Sequence, residues 1–236
     1  MAFRIMNCIA ALAAPIALWG LPAAALPLAP GGVIAPAGTT SAARPELGGI
    51  VINDNLLAFA IDPTPITPFT NVAGAVQNRV SVSNVTGDLI FGPRIRDTLN
   101  IDGGTFFITS FLIDGWGSFT TDVDFRTDGD GDTGFSSVSR SADGNRLTFR
   151  FDTPLQIDAI APGAQEESLF PAILTDARSF NTNGRMRIIG YLGGDPNTIF
   201  STEIGGIAVP QVPLPAGLWL SLAAFGALGA MRRRQG

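Results

Sequence analysis

Three aspartates carry the clearest chemical potential in this chain. Asp128, Asp130 and Asp132 alternate with glycines in the run Thr127 to Gly134, TDGDGDTG. Glycine lets a backbone curl until carboxylates and carbonyls converge, which is what a hard cation such as calcium requires. The spacing is not that of an EF-hand. Counted from Asp128, the sixth position is Thr133 rather than glycine and the twelfth is Ser139 rather than glutamate. Asp and Gly are equally the residues of a solvated turn, here between stretches around Phe125 and Phe135. The turn is the favoured reading, because one loop with few ligands binds calcium weakly. Calcium is the one cofactor for which the sequence offers candidate ligands.

Other chemistry is limited by residue type. The chain has no histidine, every basic residue is arginine, and its single cysteine is Cys8. Ser-His-Asp and Cys-His catalysis, histidine-ligated zinc and Schiff-base lysine chemistry are therefore excluded. So is a phosphate loop that needs its lysine. A paired-carboxylate glycosidase stays open in principle. Its glutamates would come from Glu46, Glu166, Glu167 and Glu203, and its aromatic platforms from Trp116 and Tyr191. That is a thin set for a sugar cleft, and the sequence weighs against an enzyme. Asn84-Val85-Thr86 matches a glycosylation acceptor and is read as chance.

The two ends say where such a chain goes. Residues 1–25 read as a signal peptide. Arg4 precedes an apolar region from Ile9 to Leu21, and Ala23, Ala24 and Ala25 supply small residues for cleavage between Ala25 and Leu26. Cys8 would leave with it, so the mature chain has neither disulfides nor thiol chemistry. At the other end, residues 209–236 form a tail. Its apolar run from Leu214 to Met231 is 18 residues long and is followed by Arg232, Arg233 and Arg234. A helix of that length covers about 27 Å, close to the hydrocarbon thickness of a bilayer, and the arginines should remain cytoplasmic.

The tail's order of motif, apolar span, arginine cluster and chain end resembles the PEP-CTERM class of bacterial sorting signals. Val212, Pro213, Leu214, Pro215 and Ala216 resemble its VPLPA variant. The resemblance implies that these five residues are recognised by a membrane transpeptidase of the exosortase type, which removes the tail. It also implies a Gram-negative host that makes extracellular polysaccharide. About a tenth of the chain carries the resemblance, and it is silent about the ectodomain.

Between the ends the pattern is that of strands. Residues 26–46 form a Pro/Gly-rich leader, either flexible or lending a strand to the fold. From residue 47 to 208, short β-branched and aromatic runs recur between turn residues. Expected strands include 49–54, 56–62, 77–85, 94–99, 105–113, 117–126, 135–140, 145–152, 155–160, 172–178, 185–192 and 198–204. Residues 105–113, TFFITSFLI, should be central, and Asp143-Gly144 should make a hairpin turn. PTPITPF, 63–69, holds too many prolines for a central strand. Residues 165–180 read as a loop leading into a strand, and Pro210 as the start of a stalk. The expected core is Phe106, Ile108, Phe111, Phe119, Val123, Phe125, Leu147, Phe149 and Ile188. The fold class is all-β, an antiparallel, jelly-roll-like sandwich, with a single helix in the tail. No fixed-period repeat is present, which excludes a solenoid or propeller.

Charge completes the reading. The segment between the ends has eleven arginines against twenty carboxylates, a net charge of −9. That argues against nucleic acid and anionic lipid as partners. The expected function is that of an exported, non-enzymatic surface or matrix protein, with extracellular polysaccharide as its surroundings. The alternatives are a calcium-dependent adhesin or carbohydrate-binding module and, more weakly, a glycosidase.

Overall fold

A computed structural model describes residues 27–62, 72–96, 100–101, 103–158 and 166–211. The expected signal peptide with its Ala25–Leu26 junction and the expected sorting tail from Val212 onward lie outside the described residues. So do the proline-rich residues 63–69.

Strands form where apolar and polar residues alternate, and they build two antiparallel sheets. The first sheet runs in the order β2 (Gly49–Ile61), β3 (Val72–Ser83), β4 (Leu89–Ile95), β10 (Phe170–Thr175), β7 (Thr121–Arg126). The short β5 (Asn100–Ile101) also pairs with β3. The second runs β1 (Val33–Ile34), β8 (Phe135–Arg140), β9 (Arg146–Asp158), β6 (Thr105–Asp114), β11 (Phe180–Leu192), β12 (Asp195–Pro210). Their inner faces share one apolar core, including Val76, Val80, Phe91, Ile108, Phe111, Val123, Phe149 and Ile188. This is the expected β-sandwich, with β6 between β9 and β11, inside its sheet as expected. Every strand of both sheets pairs with another strand of the two sheets, and one apolar core joins them.

Several expected boundaries fall where the structure has a bulge instead of a break. β2 is continuous, yet its register shifts between Val51 and Asn53. β9 is continuous too, although its pairing with β6 shifts between Ile108 and Ser110. In β2 one extra residue, Ile52, reverses which side chains face inward. In β9 the residues between Arg150 and Leu155 have no register partner in β6, and Asp152 and Thr153 are exposed there. A period-two reading therefore sees two strands where there is one. Phe119 is a correction. It is half-buried in a turn closed by Phe119 N–H on Trp116 O, because residues 117–120 precede β7 rather than belonging to it. The strand expected at 172–178 begins at Phe170 and includes Pro171, whose neighbour in the register is Phe125. Pro210 is a further correction. It pairs with Phe180 in the sheet, and Gln211 is still held by Ser179, so no stalk begins at Pro210.

The leader resolves in favour of structure. Leu28 is buried, its N–H bonding Thr121 O, and β1 extends the second sheet beyond β8. Thr39 bridges to Arg126 at the end of the first sheet. Gly38 allows that approach: its φ is +78°, and a Cβ there would lie 2.5 Å from the Phe125 ring. A single 3-10 turn, Pro45–Leu47, then lays Leu47 over Ile90 and Ala172 on the outside of the first sheet. That cover explains why β4 is buried on both faces.

Candidate functional site

The aspartate loop connects β7 to β8, as the sequence implied. Its three carboxylates have separate occupations. Asp128 receives Arg126 Nε and Nη2 at 2.6 and 2.9 Å, and Ser41 N–H and Oγ at 2.9 and 2.8 Å. Asp132 accepts the Glu167 N–H at 2.9 Å. Asp130 is exposed; its backbone carbonyl accepts from Arg94 at 2.9 Å, and its carboxylate lies 3.6 Å from the same guanidinium. Among the described residues no three acidic groups converge as a metal-ligand set. The loop thus works as a clasp: Asp128 ties the leader at Ser41 to β7, and Asp132 ties the loop to residue 167. Since Asp128 already has a permanent cation, 5–10 mM calcium, about ten times the Kd of weak extracellular modules, should leave the melting temperature unchanged against chelator. Asp130→Asn should behave as wild type in the same melts.

The two aromatic candidates part company. Trp116 is fully buried, edge-on to Phe91 at 5.3 Å, with its Nε1 unpartnered in the core. It is a packing residue and offers no surface to a sugar. Tyr191 is half-buried and stacks on Phe107, its cross-strand neighbour, at 5.2 Å and 28°. One face of its ring is thereby covered. Asn84 sits in the exposed turn after β3.

A groove of about 230 Å³ lies on the outer face of the first sheet. Leu47, Val51, Ile90 and Ala172 make its apolar walls, and Arg79, Arg126 and Phe170 its polar and aromatic part. The Phe170 ring meets two guanidinium groups, Arg79 at 4.3 Å and Arg94 at 4.2 Å from its centroid. Each cation is committed. Arg79 is bidentate to Asp54, and Arg94 bonds Gln77, Glu167 and the Asp130 carbonyl. Gln77 Nε2 also donates to Asp54. The result is a charge-balanced lattice across β2, β3, β4 and the loop before β10.

Sequence reasoning missed three members of this architecture. Arg44, Arg94 and Arg140 are almost fully buried. Arg44 binds Glu46 and Asp122 and lies 3.5 Å from Asp124. Arg140 donates to the carbonyls of Gly144, Leu28, Trp116 and Phe119 and to Thr121 Oγ1. Burial lowers the pKa of Arg94 and Arg140, and at Arg94 the nearby charges of Arg96 and Arg79 lower it further. At Arg44 burial is outweighed by the hydrogen bonds it donates to Asp122 and Glu46 and by their charges, and the net shift is upward. Arg44 had a visible signal, since it stands two residues before Glu46 in an otherwise apolar leader.

The carboxyls of Asp54, Asp128, Asp143 and Glu203 are all held below their ordinary range. The first causes are the hydrogen bonds from Arg79, Arg126, Ser141 and Arg185 respectively. A general acid needs the opposite shift. Because the unfolded chain binds these protons more readily, stability is complete above the ordinary carboxylate range and falls as pH drops through the depressed folded values. With no histidine to titrate, the urea midpoint should be flat between about pH 5 and 8 and decline below about pH 4. An inflection near pH 6 to 7 would contradict this. Compared with known proteins, the chain matches no family model, no curated protein and no solved structure.

Proposed function

We propose that this chain is an exported, non-enzymatic structural protein of the cell surface or extracellular matrix. Its signal peptide is removed after Ala25, its apolar span 214–231 holds it in the inner membrane, and an exosortase-type transpeptidase acts at Val212–Ala216. The released sandwich then joins a polysaccharide-rich outer layer. The observation that carries this reading is the extent of the fold. Pro27 already bridges to Asp122, and Gln211 is still bonded to Ser179. Paired residues of one sandwich therefore stand close to both the expected cleavage site and the sorting motif. The commitment of its carboxylates to arginines, described above, supports a load-carrying rather than a catalytic role.

The test is mass spectrometry of surface material from a polysaccharide-producing Gram-negative host expressing the full chain. The expected result is an amino terminus at Leu26 and no peptide containing Arg232 to Arg234. Replacing Val212 to Ala216 with alanines should leave the protein in the inner membrane with its tail intact. Recovery of the intact tail in outer fractions would reduce the reading to plain membrane anchoring.

A further inference from the structure

The two sides of the sandwich are treated differently. On one side the leader closes the sheet ends. β1 pairs with β8, while Leu28 and Thr39 bond the backbone of β7. On the other side lie β2, last strand of the first sheet, and β12, last strand of the second, packed against each other with Gly206 beside Leu57. Among the described residues no strand pairs with the outer edge of either.

This open side is also where exposed apolar side chains collect. Ile50 is 68 % exposed, Val51 45 %, Ile52 49 % and Leu56 61 %, all in β2, and Ile199 of β12 is 57 % exposed. β2 runs for 13 residues without proline, lysine or arginine, the residues that usually guard an edge. Its single charge, Asp54, is neutralised by bidentate Arg79 from β3. A row of backbone donors and acceptors flanked by apolar side chains calls for another strand.

We propose that β2 is a homodimerisation edge, pairing antiparallel with β2 of a second copy about a two-fold axis at Asp54. The strand is complementary to itself in this register. Val51 and Asp54 share the outer face with Ser81 and Arg79, their partners in β3, and Leu57 packs inward. Centring the axis on Asp54 sets Val51 opposite Leu56 of the other copy, and Ile50 opposite its Leu57. The bulge at Ile52 occurs in both strands, so the inward and outward faces stay matched through the axis. The two Asp54 carboxylates meet as members of two neutral pairs, in an Arg–Asp–Asp–Arg row. Such an interface is isologous and closed, so it consumes the edge instead of propagating a fibre.

The test uses residues 27–211, shown to be folded by a cooperative thermal melt, in sedimentation equilibrium. At about 50 μM, where a dimer of micromolar Kd is mostly assembled, the wild type should sediment as a dimer. Ile50→Lys with Leu56→Lys should raise the dimer Kd by about a hundredfold or more and leave the melt of the dilute monomer unchanged, since both side chains are exposed. Asp54→Cys places the only thiol in this segment on the axis. That variant should oxidise to a disulfide-linked dimer, because a residue on the axis meets its own copy within disulfide reach. A wild type that stays monomeric up to its solubility limit overturns the proposal. A dimer that ignores both lysines, or an Asp54→Cys variant that does not cross-link, overturns it equally.

Discussion

Arg140→Ala is expected to lower the stability of the domain by about 3–5 kcal/mol, the range for removing one member of a buried polar cluster. The side chain is 5 % exposed and makes all its hydrogen bonds with neutral acceptors. These acceptors come from four separate pieces of chain: the leader at Leu28, the turn at Trp116 and Phe119, the start of β7 at Thr121, and the hairpin at Gly144. No local pattern holds these pieces together at this end of the sandwich. Without the guanidinium several carbonyls lose their donor in a buried site, and each lost bond there costs about 1–3 kcal/mol. For a domain of this size the melting temperature should fall by roughly 10 °C or more. Arg140→Lys should recover little, because a point ammonium cannot span acceptors that a planar fork reaches. Thermal melts of the two variants at pH 7 decide the matter; a loss below about 1 kcal/mol in Arg140→Ala would mean that water replaces the guanidinium.

Arg44→Met is expected to cost about 2–4 kcal/mol and to act on one region first. Arg44 is 1 % exposed and faces Glu46, Asp122 and Asp124. Removing the cation leaves three carboxylates on adjoining surfaces with mutual repulsion in place of attraction. The leader is what this cation holds against β7, together with the Asp128–Ser41 bonds and the Thr39–Phe125 bond. Its loss should expose residues 40–48 to protease before the sheets themselves melt. Limited proteolysis at 25 °C should thus cut near Ser41 to Leu47 in the variant and spare the wild type. If cleavage is equal in both and the melts coincide, the leader is held by its backbone bonds alone.

Both predictions rest on a division of labour among the eleven arginines between the chain's ends. Those on the strand faces, such as Arg146 with Asp114 and Arg185 with Glu203, are exposed and add little each. The buried ones connect segments far apart in sequence: Arg44 reaches Asp122, Arg94 reaches Glu167, and Arg140 reaches Leu28. Residues 27–211 hold no cysteine, and such clamps can link distant segments there where other domains use disulfides.

The sequence by itself determined the all-β class and most of the core. Alternation at 105–113 and 135–140, and the hairpin at Asp143-Gly144, depend only on neighbours a few residues away, and they appear as β6, β8 and the turn before β9. Eight of the nine expected core residues are buried because period two assigns a face without reference to any partner. What alternation could not supply was pairing. The bulge in β2 reverses the face in mid-strand, and an irregular stretch between Arg150 and Leu155 interrupts the pairing of β9; both were decided by the register against β3 and β6. The leader's path was set by contacts with β7 and β8, about a hundred residues away, which its Pro/Gly composition does not reveal. The hydrogen-bond partners of the aspartate loop were hidden for the same reason. Its sequence shows three carboxylates and no nearby partner except Arg126, whereas Ser41, Arg94 and Glu167 reach it only through the tertiary structure.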